Sequence, residues 1–248
     1  MRHWALAPPL LLRLPDSFNG GLMEFLLSLG RAFTSSDAFW MWAILAAQVV
    51  SVAIIAERSI ALFVNRKVNQ KDLSKTIAED IKSGNLDKAL RRSLQMSAKE
   101  PLGVVASAGI QAAIDMGGKE EIQLKMDEVL LEENSRIEKR IGFLAMFANV
   151  ATLVGLLGTI TGLIHSFAGI ANANPVEKAA ILSNGISLAM NTTAYGLIVA
   201  VPALIMYAVL QNRATKLSED LNKASLNLFI QLGFHYAPVS DKKERTLV

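Results

Sequence analysis

IGFLAMFANVATLVGLLGTITGLIHSFAGIANANPV, residues 141–176, contains no Asp, Glu, Lys or Arg, and neither does AAILSNGISLAMNTTAYGLIVAVPALIMYAVLQN, residues 179–212. A helix needs roughly 20 predominantly apolar residues to cross a hydrocarbon core of about 30 Å. Both stretches exceed that length, and only Glu177 and Lys178 lie between them, so they read as a transmembrane hairpin. A pure anchor would be filled with Leu and Ile. This hairpin instead carries Gly155, Gly158, Thr159, Gly162, Asn191, Thr192, Thr193 and Gly196, the small and weakly polar types that let membrane helices approach closely and hydrogen-bond.

Working outward, a third uncharged run, FWMWAILAAQVVSVAIIA from Phe39 to Ala56, just reaches spanning length. The expected fold class is therefore an all-α membrane protein with three transmembrane helices and long cytoplasmic helical extensions. Hydrophobic residues make up 52% of the 248 positions, and the charges sit between the apolar blocks instead of within them, which argues against one soluble core. A net charge of +3, dispersed and without basic runs interleaved with aromatics, argues against nucleic acid as a partner. Membrane lipids are the expected surroundings. The absence of cysteine removes disulfides, thiolate metal sites and thiol catalysis together.

Orientation follows from Lys and Arg near the helix ends. Arg58, Arg66, Lys67, Lys71 and Lys75 follow the first span, Arg136, Lys139 and Arg140 precede the second, and Arg213 and Lys216 follow the third. The loop 171–182 holds only Lys178. The N-terminus is therefore expected outside and the C-terminus inside. The chain divides into an outward-facing segment 1–37, a first span 38–63, a cytoplasmic helical region 64–140, the hairpin 141–212 and a cytoplasmic helix and tail 213–248. Within 1–37, Pro8 and Pro9 interrupt the apolar stretch that a cleaved leader would need. MEFLLSLGRAF from Met23 suits an amphipathic helix on the outer interface, and both Met1 and Met23 stand as possible starts. In 64–140, Leu73, Ile77 and Ile81 recur at helical spacing, Gly84 and Asn85 mark a turn, Pro101 opens a helix and Gly117–Gly118 break the chain. Lys119–Arg140 has no terminator before Ile141 and is expected to run unbroken into the second span. The third span likewise runs on through Leu217, Leu221, Ala224, Leu228 and Ile230 to Gly233.

No phosphate-binding loop, HExxH or Gly-x-Ser-x-Gly occurs, so no catalytic residue, cofactor or metal is expected, and the chain does not read as an enzyme. The hairpin is the candidate site. With Val176 as its centre, Thr159 and Thr193 are equally distant and fall at one depth for a rise of about 1.5 Å per residue. Thr152, Gly155, Thr159 and Gly162 share one stripe; Ala189, Thr193, Gly196, Ala200 and Ala203 share another. The plain reading is helix packing, with threonines bonding back to the preceding turn. The functional reading is a hydrated lining made by Thr152, Thr159, Asn191, Thr192 and Thr193, with Gly155, Gly158, Gly162, Gly196 and Ala200 packing the helices. Hydroxyls do not titrate near neutral pH. A proton pathway would therefore need an acid from elsewhere, such as a single-span partner carrying a membrane Asp or Glu. His165, the one histidine of the hairpin blocks, lies near the outward end and reads as interfacial. Glu57 and Arg58 at the first-span exit read as interface residues, snorkelling or mutually paired.

VGLLGTITGLIHSFAGIA (154–171) and GISLAMNTTAYGLIVAVPALIMY (185–207) closely resemble the MotA/TolQ/ExbB proton channel family, and AERSIALF (56–63) resembles its first-span exit motif. The span count looks like the ExbB/TolQ branch. That resemblance implies a homo-oligomer, a pentamer around a central pore, in the bacterial inner membrane. The pore would enclose the helices of ExbD/TolR-like single-span partners carrying a membrane Asp. Proton motive force would then drive a molecular motor acting on a TonB-, TolA- or gliding-type envelope protein. By motif position, Thr159 and Thr193 match the family's pore-facing threonines. Two positions depart from the pattern: Leu188 stands where many members carry Glu, and Thr152 where many carry Pro. A noncatalytic scaffold whose small-residue faces only pack helices is the competing reading. A permease fits three spans without inverted repeats poorly.

Overall fold

A computed structural model describes residues 27, 29–30, 33–34, 38–64, 70–97, 100–115, 117–171 and 174–236. The described residues contain helices and no strands: α1 (Ala38–Ser59), continued by a π-helical turn (Ile60–Val64), α2 (Gln70–Lys82), α3 (Leu86–Ser97), α4 (Pro101–Ile114), α5 (Lys119–Glu138), α6 (Ile141–Ile170) and α7 (Pro175–Tyr236). Three helical stretches are long and apolar enough to cross a membrane, within Ala38–Phe63, Lys119–Ile170 and Pro175–Phe234. Most of the expected segment 1–37 and the tail beyond 236 lie outside the described residues.

The chain forms two compact units, one from residues 1–50 and 147–202, the other from 51–146 and 203–248. In the second unit, α2, α3 and α4 form a small packed group whose links follow from local chemistry. Gly84 takes φ +78, and its N–H reaches the Ile81 carbonyl while the Asn85 N–H reaches that of Asp80. This paired arrangement closes a helix C-terminus, and glycine adopts it without a Cβ penalty. Pro101 occupies the first turn of α4, where its missing N–H costs nothing. Leu73, Ile77 and Ile81 of α2, Leu102, Val105 and Ile110 of α4, and Ile122 and Met126 of α5 form a buried core.

α7 joins that core through Leu210, Ala214, Leu217, Leu221, Ala224 and Leu228, alternating spacings of four and three as in a coiled-coil seam. The seam continues to Leu232, whereas Ile230, expected on the apolar face, is exposed. Asp80 is buried on α2 and pairs with Lys88 Nζ at 2.9 Å and Arg92 at 2.6 Å. We expect Asp80→Ala to cost about 1.5–3 kcal/mol, the usual range for a hydrogen bond to a charged group. Thermal unfolding of the purified protein measures this, and an unchanged midpoint would contradict it.

The expected continuous helix from Lys119 into the hairpin is interrupted. α5 ends at Glu138, Lys139 is extended (φ −48, ψ 131), and Arg140 takes φ 65, the one non-glycine residue with positive φ among the described residues. That conformation costs an L-residue about 1–2 kcal/mol. Neither Gly nor Pro stands at Lys139 or Arg140, both good helix formers; the nearest weak helix former is Gly142, in the first turn of α6. The correlate of the break is non-local. Arg140 donates to both carboxylate oxygens of Glu57, at 2.9 and 3.1 Å, and Arg58 donates to the Arg136 carbonyl at 3.4 Å in the last turn of α5.

In the first unit, Met41, Ile44, Ala151, Tyr195 and Val199 form the buried cluster, with Leu29, Phe33, Val154 and Leu188 packed against it. The Phe33 ring meets Trp42 and Tyr195 edge-on, each at 5.6 Å. Phe33, expected on an interfacial helix, thus packs inward. The hairpin turn is shorter and earlier than expected: α6 ends at Ile170, and α7 starts at Pro175. Proline favours the first helical turn, and the Asn174 carbonyl accepts the N–H groups of Glu177 and Lys178. Val176 therefore lies in the first turn of α7, just after the turn itself.

Candidate hydroxyl site in the membrane hairpin

The two hairpin helices touch backbone to backbone. A Cβ on Gly155 would sit 3.0 Å from the Thr192 carbonyl oxygen and 3.2 Å from the Thr193 Cα; on Gly196 it would lie 2.7 Å from the Ala151 carbonyl oxygen. On Gly158 it would meet Thr192 Oγ1 at 2.9 Å and the Trp40 Cβ at 3.2 Å. Glycine at these positions is what permits the approach. Gly162 is buried, as is Ala200. Gly185, not singled out from sequence, has no room for a Cβ beside Ser166.

That approach gathers three hydroxyls and two carbonyls. Thr159 and Thr193 share a hydroxyl–hydroxyl hydrogen bond in which either can donate. Thr159 also reaches the carbonyls of Gly155 (3.2 Å) and Ala189 (3.0 Å), and Thr193 reaches Gly155 O at 3.1 Å. Thr192 reaches Ala189 O at 2.7 Å and Gly155 O at 3.3 Å. Each hydroxyl has one proton and two lone pairs, so two arrangements satisfy the pair. In one, Thr159 donates to Thr193 and Thr193 to Gly155 O. In the other, Thr193 donates to Thr159 and Thr159 to Ala189 O. Interchange moves hydroxyl protons without forming a charge.

The remaining candidates fall elsewhere. Thr152 bonds back to the Ala148 carbonyl at 3.1 Å within its own helix. Asn191 is buried, and its Nδ2 has no hydrogen-bond partner, so it takes no part in the hydroxyl cluster. His165 is exposed on the surface of α6. Glu57 and Arg58 pair at 3.1 Å, and Glu57 also binds Arg140. Among the described residues no group of three or more His, Cys, Asp or Glu could hold a metal ion.

One polar contact went unrecognised in the sequence. The Tyr195 hydroxyl donates to Gln48 Oε1 at 2.5 Å, tying α1 to α7 two residues beyond Thr193. Gln48 is the one long polar side chain in the uncharged first span, and a polar group at such depth asks for a partner. We expect Tyr195→Phe to lower the melting midpoint of the detergent-purified protein by the equivalent of about 0.6–1.7 kcal/mol, the range for hydrogen bonds between membrane helices. No shift would show that the contact contributes nothing.

Residues 97–223, just over half of the chain, match the MotA/TolQ/ExbB proton channel family, and the chain belongs to that family. It is 26% identical to the biopolymer transport protein ExbB of Pseudomonas putida over 66% of this chain, but the match spans only 48% of that protein. It is 28% identical to the Tol-Pal system protein TolQ of Pseudomonas aeruginosa, over 67% of this chain and 68% of TolQ. A solved structure of C. jejuni MotAB has the same fold: TM-score 0.55, 17% identity, and 94% of each chain covered.

Proposed function

We propose that this protein is the wall-forming stator subunit of an ExbB/TolQ-like, proton-driven motor of the bacterial inner membrane. Five copies surround a pore that holds the single transmembrane helices of ExbD/TolR-like partners, with the charged helices and the C-terminus in the cytoplasm and the N-terminus outside. The observation that carries this reading is the Thr159–Thr193 hydroxyl pair, set in a hairpin free of Asp, Glu, Lys and Arg from 141 to 176 and from 179 to 212. The hydroxyl pair can pass a hydrogen bond along but cannot hold a charge. A partner's Asp supplies the titrating group, because carboxylates inside a membrane are costly and mark ion pathways. Each proton crossing 100 mV releases about 2.3 kcal/mol, enough over a few protons to rearrange noncovalent contacts between the subunits.

Family membership supports this role, as does the apolar outer surface of α6, where Leu153, Ile160, Ile164 and Phe167 are exposed and need lipid or a neighbouring copy as cover. A second reading, the noncatalytic scaffold, draws on the same cluster: every hydroxyl proton in it has an acceptor within its own hairpin. Co-reconstitution with the partner subunit into liposomes loaded with a pH-sensitive dye distinguishes the two. The motor reading expects a proton leak that vanishes when the partner's Asp is neutralised. Vesicles as tight as protein-free controls under every condition favour the scaffold.

A further inference from the structure

The geometry points to Glu57 and Arg140 as a latch on a two-state joint between the charged helix α5 and the apolar helix α6. Its closed state is the one observed, with Lys139 extended and Arg140 left-handed; its open state is a single helix running through both residues. Only Gly142, in the first turn of α6, weakens a continuous helix at the joint. Glu138, Lys139, Arg140 and Ile141 include no helix breaker, so helix is the segment's own preference and the left-handed residue is the strained form.

The closed state is held from one place, the end of α1. Glu57 accepts two hydrogen bonds from Arg140 Nη1, and the adjacent Arg58, nearly buried, caps the Arg136 carbonyl that the break leaves exposed. The pair itself is half exposed, with side-chain accessibilities of 49% for Arg140 and 45% for Glu57. An ion pair in that setting is weak, comparable with the strain it opposes, and so reversible. An open surface depression lined by Arg140, Gly142, Phe143 and Met146 leaves the segment unpacked on that side. Any change that neutralises Glu57 or draws Arg140 away straightens the joint, which makes these two residues positioning elements for the helix that bears Thr159. The latch is argued from the joint alone and does not depend on the proton-pathway reading.

Hydrogen exchange of the full-length assembled protein in lipid nanodiscs tests it. The first N–H groups of a helix lack intrahelical acceptors, so the amides of residues 140–142 should exchange readily in the unaltered protein, ahead of Phe143, whose N–H reaches the Arg140 carbonyl at 3.3 Å. Glu57→Gln should slow them about tenfold or more, since a continuous helix would then protect them. Arg140→Gly should keep the original rates, because glycine accepts positive φ without a latch. Exchanging the charges with Glu57→Arg and Arg140→Glu together should restore them. The chain lacks cysteine, so nitroxides introduced at Lys125 and Met146 give an independent reading: Glu57→Gln should move their backbone separation to the roughly 32 Å of a continuous helix. Unchanged exchange in Glu57→Gln overturns the latch. Faster exchange across residues 119–170 without recovery in the charge exchange also overturns it, by showing that the pair merely supports folding.

Discussion

Thr193→Val should abolish proton-driven work while leaving the assembled complex intact. Valine keeps the shape of threonine and removes only the hydroxyl. Thr159 would still reach the carbonyls of Gly155 and Ala189, and Thr192 would keep its own acceptors, so no buried donor is orphaned. The structural cost is the loss of a hydrogen bond, about 0.6 kcal/mol between membrane helices. Function is exposed to more than that. Both proton arrangements of the hydroxyl pair need two oxygens, and with one gone the interchange cannot occur. A barrier higher by 1.4 kcal/mol slows transfer about tenfold, which sets the smallest loss expected in dye-loaded vesicles; Thr159→Val should behave alike. Wild-type flux in an assembled Thr193→Val complex would favour the scaffold reading.

Gly155→Leu should do the reverse and destroy assembly outright. A bare Cβ at this position is already 3.0 Å from one backbone oxygen and 3.2 Å from a backbone carbon of α7. Neither neighbour is a flexible side-chain tip that could swing aside. Leucine adds three more carbons, so the helices must separate, and overpacking typically costs about 1–3 kcal/mol even where only side chains move. Separation also pulls Thr159 from Thr193, so the hydroxyl cluster goes with the packing. Size-exclusion chromatography of detergent-extracted protein should show loss of the oligomer peak. A normal elution profile would mean that the close crossing at Gly155 and Gly196 is not what holds the hairpin.

What the sequence made legible was set by composition and period. Uncharged stretches at or above spanning length marked the three apolar helices, and small residues at spacings of three and four marked the hairpin faces whose glycines lie in close contact. The Thr159–Thr193 meeting was reachable from an equal-depth argument about Val176, which the contact between the two hydroxyls matches, although the turn itself lies a few residues earlier. Pro175 starts α7 so early that the turn precedes it. The break at Lys139–Arg140 was illegible because local preference favours helix there and the opposing contacts come from Glu57 and Arg58, about eighty positions earlier. Residue type alone grouped Asn191 with its neighbours Thr192 and Thr193. On the helix, however, consecutive residues point in different directions, and Asn191 lies outside the cluster. Tyr195 and Gln48 were passed over because neither belongs to a small-residue stripe.

The central claim is that this chain supplies hydroxyls that cannot titrate while another polypeptide brings the carboxyl group to them. Imaging the pore of the complex, purified from its own membrane at a resolution that shows side chains, tests that most directly. The account predicts a foreign single-span helix in the pore, with an Asp or Glu at the level of Thr159 and Thr193. A pore filled by lipid alone, or an occupying helix without a carboxylate at that depth, would contradict it.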